Sequence, residues 1–179
     1  MRISALKNLA HDAVCQSITS PVGVMYLVAD AGALHAVLWQ RDLEDAGTRA
    51  VINNLPKTHG HPVLTDTARQ LGEYFCKKRT VFDLPLASVG TPFQQSVWQA
   101  LTRIPHGRRM SYEDLAITLG DRAKSRAVGR ANGLNPFSVI IPCHRLVGKQ
   151  GCLTGFAGGL EAKAYLLEHE ARTSGFTLC

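Results

Sequence analysis

The chain has 179 residues, of which 45% are hydrophobic and 19% are charged. This is the composition of a globular protein, and no apolar run approaches the roughly 20 residues that span a bilayer. The formal net charge of +6 is concentrated in the second half, where residues 91–179 hold 11 Lys and Arg against 6 Asp and Glu. A basic half of this kind favours a polyanion as partner.

The cysteines are odd in number and irregularly spaced, which argues against a disulfide framework. The first residues lack the apolar core and cleavage site of a signal peptide. We therefore expect a soluble, cytoplasmic protein that binds no membrane, and the cysteine and histidine spacings favour no metal site. The cysteines are Cys15, Cys76, Cys143, Cys152 and Cys179.

The first half predicts a small α/β domain. After an unpatterned start to about residue 17, the stretch 18–29 predicts two strands around a turn at Pro21, Val22 and Gly23. Further elements are a strand at 33–39, helices at 43–55 and 66–76, and an extended piece at 81–86.

The character of the chain changes at residues 88–90, which divides it into domains 1–88 and 89–179. Thr91, Pro92 and Gln94 predict the start of a helix, as N-cap, first helical residue and partner in a capping box.

Two short helices then follow, at 111–120 and 123–132, separated by a tight turn. The second carries Lys124, Arg126 and Arg130, and a basic second helix of this kind is typical of a helix-turn-helix. Its small residues, Ala127 and Gly129, permit close approach to another surface, either a neighbouring helix or a nucleic-acid backbone. The alternative is that the basic side is simply solvated, and the pattern alone does not decide.

The segment 140–147 places Cys143 between Pro142 and His144, after an apolar run that predicts a strand at 138–141. A thiol reacts as its thiolate, which a neighbouring imidazole can generate. Adjacent side chains on a strand point to opposite faces, so Cys143 and His144 share one site only if the strand ends there or water bridges them. Glu170, at the end of a predicted helix at 160–169, is the candidate to orient the imidazole. The alternative is a buried thiol beside an unrelated histidine.

An ordered series of motifs runs through residues 91–170. It comprises TPFQxxVW at 91–98, IPxG at 104–107, SYxxLA at 111–116, SRAVG at 125–129, NP at 135–136, IPCHR at 141–145, and GFAGG at 155–159 followed by K at 163 and HE at 169–170. This series resembles the O6-alkylguanine-DNA alkyltransferase family, also called methylated-DNA–protein-cysteine methyltransferases. The first half is similar more loosely, through SPVG at 20–23 and the strands that follow.

The resemblance implies an α+β fold. Its N-terminal domain would be an antiparallel sheet with helices, ribonuclease H-like, and its C-terminal domain mainly helical with a winged helix-turn-helix-like motif. It implies DNA repair by irreversible, stoichiometric transfer of an alkyl group from O6-alkylguanine, and also O4-alkylthymine, to Cys143. No cofactor is implied. The partner would be double-stranded DNA, bound through the minor groove by a monomer, and cooperative binding is left open.

The resemblance also implies roles for individual residues. Glu170, His144, a water and Cys143 would form a proton relay. Arg126 would enter the base stack, and Tyr112 would help rotate the nucleotide and give a proton to the departing guanine. The remaining DNA-binding residues would be Lys124, Ala127, Gly129 and Arg130, and the pocket would comprise Asn135, Pro142, Leu146, Phe156, Ala157 and Gly158.

Many members of the family have tyrosine where this chain has Phe156, so a hydroxyl contact is missing there. Arg145 and Lys163 are interpreted as structural or pocket-supporting.

Two alternative functions stay open. One is a non-enzymatic alkylated-DNA-binding protein, against which Cys143 argues. The other is a cysteine hydrolase, which leaves Tyr112 and Arg126 without roles.

Overall fold

The computed structural model describes residues 6, 7 and 9–173, which form two units. The first unit runs to Val89 and includes Pro136–Ser138, and the second comprises Gly90–Asn135 and the chain from Val139 onward. The tripeptide joins the first unit because Val37 N donates to Pro136 O at 2.8 Å and Ser138 N donates to Val37 O at 3.3 Å. The sequence predicted a single boundary between the domains and gave no sign that Pro136–Ser138 belongs to the first unit.

The sheet of the first unit consists of β1 (Val14–Ser20), β2 (Gly23–Ala29) and β3 (Leu34–Trp39), paired antiparallel in that order. The two predicted strand regions are confirmed. The prediction of an unpatterned start is wrong from residue 14, because Cys15 is buried and its N–H donates to Pro56 O at 2.9 Å. Residues 1–5 and 8 lie outside the described part of the chain.

Helices α1 (Ala46–Asn54) and α2 (Pro62–Phe75) complete the first unit. The predicted helix at 43–55 is broken, because Asp45 caps α1 by accepting from Thr48 N and a 3-10 turn precedes it. The predicted extended piece at 81–86 is reduced to one bridge between Leu86 and Leu34. The core of the first unit contains Leu6, Cys15, Val28, Ala36, Leu38, Leu43 and Ile52.

The second unit begins with α3 (Pro92–Thr102), and its predicted capping box is confirmed. Thr91 Oγ1 accepts from Gln94 N at 3.3 Å, and Gln94 Oε1 accepts from Thr91 N at 2.8 Å. The indole of Trp98 is buried and donates to Ala131 O at 2.9 Å. This bond fastens α3 to the helix that carries the basic residues.

Next come β4 (Met110–Ser111), α4 (Tyr112–Thr118) and α5 (Ser125–Gly133), with a 3-10 turn at Arg122–Lys124 between the two helices. Helix α4 packs against α5, which gives the predicted pair of short helices. Ser111 caps α4 by accepting from Asp114 N at 3.0 Å.

The last elements are β5 (Leu146–Val147) and α6 (Leu160–Thr173). The strands β4 and β5 pair in parallel, Met110 with Leu146 and Ser111 with Val147. Helix α6 is longer than predicted, so that Glu170 lies within it rather than at its end. The arrangement confirms the predicted α+β class. In the ranges 6–7 and 9–173, no helix is both long and apolar enough to be a membrane span.

The predicted strand at 138–141 is wrong. Residues 138–140 form a turn in which Val139 adopts a φ of +70°, and a 3-10 turn follows at Cys143–Arg145. Both Asn135 Nδ2 and Cys143 N donate to Ile141 O, at 2.9 and 2.7 Å, so the segment closes on itself.

Candidate active site

Cys143 and His144 are successive residues of the buried 3-10 turn that ends with Arg145. Arg145 N donates to Pro142 O at 3.0 Å, and Leu146 N donates to Cys143 O. A 3-10 turn has about three residues per revolution, so neighbouring side chains diverge without pointing to opposite faces. The chain thus leaves strand geometry at the position where a shared site requires it.

Two buried asparagines, Asn132 in α5 and Asn135 just after it, hold this turn. Asn135 Nδ2 donates to Ile141 O at 2.9 Å, and Asn132 Nδ2 donates to Cys143 O at 3.4 Å. The chain between α5 and the thiol is therefore fixed from inside by side chains. Asn135, predicted as a pocket residue, lies beneath the turn, and Pro142 and Leu146 flank Cys143 as buried residues.

The carboxylate of Glu170 is buried and accepts hydrogen bonds from three residues. His144 Nε2 lies 2.8 Å from Oε1, and Gly107 N donates to Oε2 at 3.1 Å. Arg145 donates from Nε to Oε2 at 2.9 Å and from Nη2 to Oε1 at 3.0 Å. Its remaining terminal nitrogen, Nη1, donates to Ile104 O at 2.5 Å.

These contacts set the charges of the pair. Burial alone would raise the pKa of Glu170, but the bonds from His144 and Arg145 outweigh it and hold that pKa far below its usual range. Burial lowers the pKa of His144, against the attraction of Glu170, so its imidazole is neutral near pH 7. Because an ionised carboxylate only accepts, Nε2 carries the imidazole proton. Nδ1 is then a buried lone pair with no hydrogen-bond partner in the described part of the chain.

Tyr112 lies at the first position of α4, directly after the ladder that joins β4 to β5. Its ring faces Gly129, where an added Cβ would lie 3.6 Å from Tyr112 Cδ1. Thr154 Oγ1 donates to Tyr112 Oη at 3.1 Å. Burial raises the pKa of Tyr112, the bond from Thr154 opposes that rise, and negative charge on Cys143 adds to it. Tyr112 and Cys143 are thus within electrostatic reach of each other.

Lys163, interpreted from the sequence as structural or pocket-supporting, is fully buried in α6. Its Nζ donates to Thr154 O at 3.2 Å and lies 5.9 Å from the centroid of the Tyr112 ring. Burial lowers the pKa of Lys163, and negative charge on Cys143 raises it. The thiol therefore has a cationic group as well as an imidazole in its surroundings.

Four of the predicted DNA-binding residues, Arg126, Ala127, Gly129 and Arg130, lie in α5. Arg126, Ala127 and Arg130 are exposed, Gly129 is half-buried, and Val128 faces the core. Lys124, just before the helix, is exposed and pairs with Asp121 at 3.5 Å.

The predicted pocket loop immediately precedes α6. Phe156, Ala157 and Gly158 are half-buried, and the turn is closed by Gly159 N, which donates to Phe156 O at 3.0 Å. Gly159 has a φ of +88°, a backbone conformation that favours glycine.

Sequence reasoning missed Asn132, Thr154 and the N–H of Gly107. Each is joined to the site by hydrogen bonds to residues that are not its sequence neighbours, and no local pattern marks such a residue. Across residues 6, 7 and 9–173, no group of three or more His, Cys, Asp or Glu residues is placed to hold a metal ion.

Comparison with known proteins gives two family matches. Residues 13–88 match the family described as 6-O-methylguanine DNA methyltransferase, ribonuclease-like domain. Residues 92–172 match the family described as 6-O-methylguanine DNA methyltransferase, DNA binding domain. Together they account for both units.

Individual proteins agree with these matches. A Salmonella typhimurium protein named methylated-DNA–protein-cysteine methyltransferase is 40% identical over 162 residues, covering 87% of this chain and 94% of that protein. The crystal structure of the Mycobacterium tuberculosis O6-methylguanine methyltransferase matches with a TM-score of 0.79 and 37% identity, over 90% of this chain and 94% of that one. A structure of the Mycobacterium tuberculosis protein in complex with DNA matches with a TM-score of 0.76 and 36% identity, over 89% and 93% of the two chains.

Proposed function

This chain belongs to the methylated-DNA–protein-cysteine methyltransferase family, and we propose that it repairs DNA by moving an alkyl group from O6-alkylguanine, and from O4-alkylthymine, to Cys143. The observation that carries the assignment of Cys143 is the buried imidazole beside it, oriented by Glu170 through its Nε2. Such an arrangement activates a thiol and serves no purpose in a protein that only binds DNA.

Activation of the thiol follows from the state of His144. With its proton on Nε2 and its pKa lowered by burial, the imidazole offers Nδ1 as a base. We infer that a water carries the Cys143 proton to Nδ1, and that Glu170 stabilises the imidazolium that forms. Arg145 keeps Glu170 ionised, so the carboxylate does not itself take the proton.

The alkylated base must reach this buried thiol, and O6 of guanine is inaccessible inside a base-paired stack. The nucleotide is therefore flipped out of the duplex, and Arg126 occupies the space that it leaves. The exposed position of Arg126 and the small neighbours Ala127 and Gly129 support this role, because they let α5 lie low in a groove. We assign that groove as the minor groove, whose degenerate base edges suit a repair protein that must act in any sequence.

The reaction is a single displacement. The Cys143 thiolate attacks the alkyl carbon, an S–C bond forms, and the C–O6 bond breaks with its electron pair left on guanine. Tyr112 gives the guanine a proton, and the proton taken from the thiol resides on His144. The thioether product is inert, so each molecule acts once. No step requires a cofactor, and we propose that the protein acts as a monomer in the cytoplasm.

Mass spectrometry tests the proposal directly. The protein is incubated with duplex oligonucleotide containing O6-methylguanine, and the masses of the intact protein and of its peptides are measured. We expect one added methyl on the peptide with Cys143 and unmodified guanine in the DNA. Cys143→Ala should bind the duplex without gaining mass, whereas Cys76→Ala, which removes an exposed thiol of the first unit, should react normally. Binding without transfer would instead support a lesion-binding protein, and turnover of an ester would support a hydrolase.

A further inference from the structure

Thr154 lies in the loop before α6 and contacts two groups of the site at once. Its hydroxyl donates to Tyr112 Oη at 3.1 Å, and its carbonyl accepts from Lys163 Nζ at 3.2 Å. Thr154 is exposed, and its Cγ2 lies beside Gly148, where an added Cβ would be 3.0 Å away. Branching at Cβ restricts the χ1 rotamers of threonine, which limits the directions in which its hydroxyl can point.

We propose that Thr154 is a positioning residue for proton transfer from Tyr112 to the departing guanine. This proposal rests on the proposed function, in which Tyr112 is the proton donor. Thr154 is 42 residues from Tyr112 in the sequence, and their hydroxyls meet only in the folded unit.

The chemistry of the step explains what the threonine adds. As the C–O6 bond breaks, the O–H bond of Tyr112 breaks and an N–H bond forms on guanine, which leaves a phenolate. A phenolate oxygen can only accept hydrogen bonds, and the hydroxyl of Thr154 is already in place to donate one. A hydrogen bond to an ionised acceptor is shorter and about twice as strong as a neutral one, so the bond strengthens as the proton leaves. Thr154 keeps its own proton throughout.

Lys163 adds to the same effect through the Thr154 carbonyl. That carbonyl holds Nζ at 5.9 Å from the centroid of the Tyr112 ring, where the ammonium attracts the negative charge that develops on the phenolate. Thr154 thus stabilises the phenolate by its own bond and fixes a cation near it.

The step is tested by single-turnover kinetics of methyl transfer from duplex O6-methylguanine. Thr154→Val keeps the shape of the side chain and removes the hydroxyl, and we expect transfer to slow about tenfold. Thr154→Ser restores a donor and should recover most of the rate. Affinity for the duplex should stay within about twofold, since Thr154 acts after binding. Thr102→Val, which removes an exposed threonine hydroxyl at the end of α3, should react like the wild type.

A double-variant cycle separates positioning from a structural role. In the Tyr112→Phe background there is no phenol to assist, so Thr154→Val should slow transfer by less than about twofold there. An equal slowing in both backgrounds, or a wild-type rate for Thr154→Val alone, would overturn the role of Thr154. A wild-type rate for Tyr112→Phe would overturn both that role and the proposed proton donor, leaving the assignment of Cys143 intact. If valine disturbs the loop in thermal unfolding, Thr154→Ala compared with Thr154→Ser carries the same test.

Discussion

Arg145 and Glu170 form a buried two-point ion pair, with Nε of the guanidinium on one carboxylate oxygen at 2.9 Å and Nη2 on the other at 3.0 Å. The planar guanidinium matches the carboxylate, so the pair fixes both the charge and the orientation of Glu170. Glu170 in turn fixes His144 through Nε2 at 2.8 Å. Arg145 therefore helps to prepare the thiol, because it acts on His144 through Glu170.

Loss of this guanidinium should lower the stability of the folded protein. Arg145→Met leaves a buried carboxylate without its ion-pair partner, and we expect the free energy of unfolding to fall by about 3–5 kcal/mol. The matched control is Arg172→Met, which breaks an exposed pair with Glu168 at 2.5 Å and should change that free energy by less than about 1 kcal/mol. Urea denaturation at neutral pH measures both. Similar losses for the two variants would show that Arg145 gains nothing from its buried position.

The lowered pKa of His144 predicts a specific pH dependence of stability. A free histidine titrates near pH 6.5, whereas the buried imidazole stays neutral to lower pH. Below about pH 6.5 the unfolded chain therefore binds a proton that the folded protein does not, and stability falls as the pH is lowered towards the folded pKa. We expect the difference in free energy of unfolding between wild type and His144→Gln to become smaller as the pH is lowered. Denaturation series from about pH 8 to pH 5 measure it, and a difference that grows on acidification would contradict a neutral folded imidazole.

The neighbouring asparagines beneath the nucleophile turn provide an internal comparison. Asn135 Nδ2 makes a 2.9 Å bond to Ile141 O, whereas Asn132 Nδ2 reaches Cys143 O only at 3.4 Å and its Oδ1 has no hydrogen-bond partner within the described residues. Asn135→Ala should lower the free energy of unfolding by about 1–3 kcal/mol and Asn132→Ala by clearly less. Urea denaturation ranks the two, and the reverse order would mean that the turn depends on the longer bond.

The parts of the structure that sequence could predict are those encoded by local chemistry. The capping box of Thr91 and Gln94 lies within four residues, and the turn between β1 and β2 is marked by Pro21 and Gly23. The apolar run at 138–141 led to the wrong prediction of a strand. Its backbone groups bond to the side chain of Asn135 and to Val37 of β3, and neither partner can be identified from the run itself.

Prediction of the site depended on resemblance more than on pattern. His144 and Glu170 are 26 residues apart, and Thr154 and Tyr112 are 42 apart, so no periodicity links them. A resemblance can bring forward residues that a family motif contains, such as Tyr112. It gave no reason to select Thr154, whose importance depends on a hydroxyl contact formed only in the folded chain.

Arg126 should be needed for reaction with a base in duplex DNA and should not affect the reactivity of the thiol itself. Without its side chain a flipped nucleotide can return to the stack, whose disruption costs a few kcal/mol, so Arg126→Ala should slow repair of duplex O6-methylguanine about tenfold or more. Reaction with free O6-benzylguanine should be unchanged, because that base needs no flipping. Arg103→Ala removes an exposed arginine outside α5 and should leave both reactions unaffected. Equal slowing on duplex and free base would rule out a stack-filling role.

Substitution of Gly129 by alanine should have opposite effects on the stability of α5 and on the affinity for DNA. A methyl group at this position would meet only the Tyr112 ring, at an ordinary contact distance of 3.6 Å, so Gly129→Ala should fold and stabilise α5 by up to about 1 kcal/mol. If DNA lies against this side of the helix, the same methyl keeps the backbone away, and affinity for duplex DNA should fall several-fold. Gly133→Ala is the matched control at the end of α5, where nothing lies within 4 Å of an added Cβ. Thermal unfolding and fluorescence anisotropy measure the two effects, and unchanged affinity for Gly129→Ala would place the DNA on another face of the helix.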